Sequence, residues 1–91
     1  MKTIIFDFNN IQTFSGFYKT FQKKFILPPD IPDNLDGLWD VLTGMIELPV
    51  KIEFHHLSPK KLDKFQNLIS LFEESENETN HMLLFSYFLY K

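Results

Sequence analysis

Cysteine and arginine are both missing from this chain of 91 residues. Without cysteine there is no disulfide scaffold, no thiolate nucleophile and no thiolate metal site, and the redox compartment is left undetermined. Without arginine, the nine basic residues are all lysine, set against 12 acids for a formal net charge of −3. That composition is poor for neutralising phosphates or reading bases bidentately, and it argues against nucleic acid as a direct ligand. No apolar run reaches the roughly 18 residues that a membrane span needs, and residues 1–8 are too short for a signal peptide with its flanks. A cytoplasmic protein with no membrane association is the expectation. A glycine-rich phosphate loop, a nucleophile elbow and a serine beside a histidine base are absent too, as are internal repeats and low-complexity segments. An enzyme is therefore disfavoured, no residue is assigned a catalytic role, and no cofactor is expected.

What the chain does have is apolar and aromatic mass. Hydrophobic residues make up 44%, and phenylalanine alone accounts for 11 positions. At this length they suit one domain over residues 1–91 with a phenylalanine-rich core. The charge is uneven. Nine of the 12 acids lie in two stretches, 30–47 and 73–78, neither of which contains a basic residue. If the fold brings these together, they form one negative surface suited to steering a cationic partner.

Residues 2–8 form a β-prone run, Thr3, Ile4, Ile5, Phe6 and Phe8, that reads as a first strand. Thr13 or Ser15 can cap a helix to about Phe25, with Phe14, Phe17, Phe21 and Phe25 on one stripe. Pro28, Pro29 and Pro32 make the next segment a stiff connector that orders at little entropic cost and can present Asp30 and Ile31 in a nearly fixed geometry. A second strand follows at 50–54, where Val50, Ile52 and Phe54 alternate with Lys51 and Glu53. Ser58 and Pro59 then open a long helix to about residues 73–76, in which a break near 64–67 is left open. Residues 82–89 read as a third strand, buried on both faces. Strands joined through helices imply right-handed parallel crossovers, and so an α/β fold with a three-stranded parallel sheet in the order β-α-α-β-α-β.

The segment 33–44 is the most specified. Asp33 or Asn34 can cap it, Gly44 can close it in the left-handed conformation, and Leu35, Leu38, Val41 and Leu42 share one side. Asp36, Asp40 and Thr43 fall on the opposite side, with Trp39 between the faces. Two carboxylates at i and i+4 repel by roughly 0.2–0.5 kcal/mol, and no lysine lies between residues 28 and 47 to relieve them. One reading is an ordinary solvated face, with Asp33 and Asp36 favoured by the helix dipole. The other is a binding surface, since Asp40 lies beyond the dipole's reach and stands beside a tryptophan. Other chemistry fares worse. Glu53, His55 and His56 lack a fourth ligand, and adjacent histidines on a strand point apart, so no metal site is expected. Asp36 and Asp40 on a helix surface lack the flanking cleft that glycoside hydrolysis requires.

The run Asn34-Leu35-Asp36-Gly37-Leu38-Trp39-Asp40-Val41-Leu42-Thr43-Gly44, followed by Glu47, Pro49 and Glu53-Phe54, resembles the signature region of the barstar family, small intracellular inhibitors of barnase-type ribonucleases. The match is dense over about twenty residues and extends more loosely along the chain through its length, its order of elements, Leu27-Pro28 and the acidic end of the long helix. The resemblance implies a barstar-like fold in which Asp36, Trp39, Asp40, Thr43 and Gly44 occupy the positions that plug a nuclease active site. Asp40 then stands where a substrate phosphate would sit, Glu74 adds a second ion pair, and Glu78 matches a peripheral acid. Two positions depart from the family pattern. Asp30 replaces a contact tyrosine in the loop before the helix, and Met45 replaces an aromatic residue that can follow the Thr-Gly pair.

The implied partner is a small basic ribonuclease, or a nuclease toxin domain with a different basic pocket, bound by a protein that is a monomer when free. A second class stays open: a module of the same fold that serves as an immunity or regulatory partner for a cationic protein other than a nuclease.

Overall fold

Parallel pairing of three strands organises the molecule, whose structure, a computed structural model, describes residues 1–89. The elements run β1 (Lys2–Asp7), α1 (Phe14–Lys24), α2 (Leu35–Gly44), β2 (Val50–Leu57), α3 (Pro59–Lys64), α4 (Gln66–Glu78) and β3 (Leu83–Leu89). The strand order is β1-β2-β3, with Phe6 opposite Phe54 and Phe54 opposite Tyr87. This is the α/β fold with a three-stranded parallel sheet expected from the sequence, and it is consistent with a barstar-like fold.

Helices cover one face of the sheet. Phe6, Ile52, Phe54 and Leu83 point into it and are fully buried, together with Phe17 and Phe21 of α1, Leu38 and Leu42 of α2, and Leu68 and Phe72 of α4. Phe54 is central, with its ring centroid 4.8 Å from that of Phe8, 5.6 Å from Phe17, 5.0 Å from Phe72 and 4.9 Å from Phe85. Tilted and edge-on pairs of this kind add attraction beyond the burial of area.

One point left open is decided, and two expectations are corrected. The long helix breaks at Phe65, whose ring is driven into the core against Phe8 and Phe14, so α3 and α4 meet at a bend. Strand β2 continues past Phe54 to Leu57, passing through an irregularity that leaves His56 in the left-handed region with φ 62°. Strand β3 is not buried on both faces. It is an edge strand on a sheet covered from one side, so only Leu83 is fully buried, and Tyr87, Phe88 and Leu89 are exposed.

The uncovered face explains the polar half of β2. There Glu53 lies 3.3 Å from the Lys51 ammonium and 2.8 Å from His55 Nε2, while Asp7 lies 2.9 Å from His56 Nδ1. The two histidines engage different carboxylates on this one face, because the irregularity after Phe54 and the left-handed backbone at His56 interrupt the strand's regular alternation. The hydrogen bond from His56, with that from the Asn9 N–H, holds the Asp7 carboxyl below its ordinary value of 3.8. His55, with Lys51, holds Glu53 below 4.5.

A carboxyl that is more acidic folded than unfolded contributes stability above its unfolded pKa and loses it as pH falls through the folded one. Denaturant midpoints are therefore expected to hold down to about pH 5 and to fall below it, through the acid window set by these two groups. His55→Ala and His56→Ala should each flatten part of that fall. A profile identical to that of the unsubstituted protein in both variants would remove these pairs from the explanation.

Candidate functional site

Helix α2 begins where the sequence can satisfy its free amides. The Asn34 carboxamide oxygen accepts the Gly37 N–H at 2.7 Å, and its amide group donates to Asp33 at 3.0 Å. Asn34 is thus the cap, and Asp33 supports it from outside the helix. The connector before it is tied down. Gln22 of α1 donates to the Pro32 carbonyl at 2.9 Å, and the Ile31 N–H bonds the Pro28 carbonyl in a tight turn. Asp30 takes the left-handed conformation, φ 68°, at the tip of this turn and is exposed.

The far end differs from expectation. Gly44 is the last helical residue and no glycine has a positive φ, so α2 does not close through a left-handed glycine. The Met45 and Ile46 amides instead both bond the Val41 carbonyl, at 3.0 and 3.1 Å, so the helix ends on one ordinary i→i−4 bond and one wider i→i−5 bond. A Cβ placed on Gly44 would meet nothing within 4 Å, which leaves the backbone at this end of α2 open to approach.

The helix faces fall as the sequence predicts. Leu38, Val41 and Leu42 are buried, Leu35 and Trp39 are half-buried, and Asp36 and Asp40 are exposed. Neither aspartate has a hydrogen-bond or ion-pair partner among the described residues. Neither lines the cavities beside α1 and α2. Thr43 donates its hydroxyl to the Trp39 carbonyl at 2.8 Å, which leaves its oxygen lone pairs as acceptors. Because α2 packs against α4, the two acidic stretches lie on neighbouring helices.

On α4, the buried residues Leu68, Ile69, Phe72 and Ser75 fix which acids face out. At about 100° per residue, Glu74 and Glu78 share the side away from that stripe, and both are exposed. Glu76 does not join them. It turns toward β3, where its carboxylate accepts the Phe85 N–H at 3.2 Å and lies 3.4 Å from His81 Nδ1.

The flanks of α2 are separate environments. Asp30 lines a cavity with Phe14, Tyr18, Lys19 and Gln22 of α1. Burial, and then the negative charge of Asp33, push the Tyr18 hydroxyl pKa up. Met45, 55% exposed, lines another cavity of about 450 Å³ with Lys24, Ile26, Leu27 and Pro49. Ile26 is a feature that sequence reasoning missed. It is 90% exposed in the left-handed region, φ 53°, a conformation that β-branched residues rarely adopt. Within Phe25-Ile26-Leu27 no sequence signal separates the outward residue from its inward neighbours.

Among the described residues, no group of three or more His, Asp and Glu side chains is placed to hold a metal ion, and no helix is long and apolar enough to cross a membrane. The chain matches the family model described as Barstar (barnase inhibitor) over residues 1–89.

Proposed function

The chain belongs to the barstar family, and from that membership we propose that it inhibits a small extracellular-type ribonuclease by setting the acidic face of α2 into the nuclease active site. The observation that carries this reading is the pair of exposed carboxylates, Asp36 and Asp40, unpartnered among the described residues, on a helix capped at its start and beside a half-buried Trp39. A pocket that binds an RNA phosphate is built of cationic donors. A carboxylate held at the phosphate position accepts charge-assisted hydrogen bonds from the same donors, and a rigid helix loses little entropy in presenting it.

In this reading Asp40 stands in for the phosphate, Asp36 adds a second negative charge, and Trp39 packs its exposed edge against the partner. Thr43 and the open backbone at Gly44 meet the partner at the helix end. Glu74 supplies a further ion pair from α4, Glu78 lies at the periphery, and Asp30 and Met45 form the rim on either flank. The clustering of acid on α2 and α4 steers a basic nuclease toward this face, so the association rate falls as salt is raised.

The test is direct. The purified protein is titrated into a small guanyl-preferring ribonuclease while RNA cleavage is followed. Stoichiometric inhibition is expected; no effect at micromolar excess would instead favour a cationic partner that is not a nuclease.

Gly44→Ala separates folding from binding. The position is helical with open space around it, so alanine should leave stability unchanged or raise it by up to about 1 kcal/mol. The added methyl stands between the helix end and the partner, so inhibition should weaken. Thermal melts and an inhibition titration on the same sample check both halves, and unchanged inhibition would place Gly44 outside the contact.

A further inference from the structure

We infer that the outer edge of β3 is a strand-docking surface for a second copy of this chain, held shut in the monomer by Glu76 and Thr79. The Val50 N–H donates to the Met82 carbonyl, so even-numbered residues of β3 turn their peptide groups toward β2 and odd-numbered ones turn theirs outward. Two of the outward amides are already taken by side chains. Leu83 N–H donates to the Thr79 hydroxyl oxygen at 3.1 Å, and Phe85 N–H donates to the Glu76 carboxylate at 3.2 Å. His81 holds the other Glu76 oxygen, and Thr79 is anchored by donating to the Ser75 carbonyl at 2.8 Å. By the same alternation the amides of Tyr87 and Leu89 also turn outward, and no side chain of the described residues covers them.

The strand itself has none of the usual protection. Leu83–Leu89 reads LLFSYFL, without a charge, a proline or a glycine, and its last three residues are exposed. The opposite edge, β1, carries Lys2 and Asp7. Natural sheets blunt their edges with charge, proline or covering groups, because a row of free amides and carbonyls templates another strand. Here the covering groups are the side chains of Glu76 and Thr79, and they reach only the first half.

A second copy is the occupant that this edge fits. Antiparallel pairing about a two-fold axis sets each outward N–H against a carbonyl of the same edge, and an uncharged strand opposes no like charges despite the net charge of −3. With only Tyr87 and Leu89 free, too few hydrogen bonds are on offer to offset association, and the chain stays monomeric. Uncovering Leu83 and Phe85 doubles the pairing length.

Sedimentation of the full chain over a concentration series tests this. The unsubstituted protein and Glu76→Gln, whose amide oxygen still accepts from Phe85, are expected to sediment as monomers. Glu76→Ala combined with Thr79→Val should double in mass, and adding Leu89→Lys should return it to monomer. A folded double variant that stays monomeric, a Gln variant that assembles like the Ala variant, or a dimeric starting protein would each overturn the inference. Where the double variant fails to fold, hydrogen exchange in Glu76→Ala decides. Loss of Phe85 amide protection at low concentration and its return at high concentration is the expected result, and unchanged protection at both is the contrary one.

Discussion

Asp40→Ala is expected to weaken ribonuclease inhibition by about 2–5 kcal/mol, a range drawn in part from the barnase–barstar pair itself. That is roughly 30-fold to several thousand-fold in Kd. Most of the loss comes from the partner's side, where cations gathered for a phosphate stay buried against the inhibitor with nothing to neutralise them. The folded inhibitor should not suffer. Asp40 has no partner among the described residues, and its i, i+4 repulsion with Asp36 disappears, so stability should hold or rise by about 0.2–0.5 kcal/mol. Inhibition constants and denaturant midpoints measured together separate the two effects. Asp40→Asn keeps the shape and removes the charge, and it should weaken inhibition substantially as well. If both variants inhibit as well as the starting protein, phosphate mimicry by this helix is wrong, whatever else the chain binds.

The second large effect concerns the core. Phe54→Ala is expected to destabilise the fold by about 3–5 kcal/mol, the range for emptying a buried aromatic site. Phe54 is fully buried on the central strand, and rings from β1, α1, α4 and β3 converge on it, so no single neighbour can collapse into the space. At about 4–8 °C per kcal/mol for a domain of this size, the melting temperature should drop by roughly 12–40 °C. Against a total of about 5–15 kcal/mol, that can leave little folded protein at ambient temperature. Phe88→Ala removes the same side chain from the open face, where it is half-exposed beside His55, and should lose far less. A Phe54→Ala loss no larger than that of Phe88→Ala would mean that the core is not centred on β2.

Much of this was legible before any coordinates. The phenylalanine stripe of α1, the alternation of Val50, Ile52 and Phe54, and the Ser58-Pro59 helix start each combine a periodicity with a local stop or start signal. Each was found where expected. The buried, half-buried and exposed faces of α2 follow from the 3.6-residue repeat alone. The same repeat could not tell whether the Asp40 carboxylate would be engaged by a lysine elsewhere in the chain, because that depends on residues remote in sequence.

The misreadings share a cause. Apolar content in residues 82–89 suggests burial on two faces, yet an edge strand on a half-covered sheet exposes what a central strand hides. Glycine permits a left-handed Gly44, but nothing compels it, and the helix ends instead with the Met45 and Ile46 amides sharing the Val41 carbonyl. The bend at Phe65, the left-handed Ile26 and the capture of the β3 amides by Glu76 arise from packing between elements that the chain order does not relate.

The sequence by itself determined the elements, their faces and the anionic character of α2, because these depend on neighbours within a few positions along the chain. Tertiary structure alone decided which strand lies at the edge, which acids remain unpaired and which are consumed, because a carboxylate's availability is set by the donors that folding brings to it.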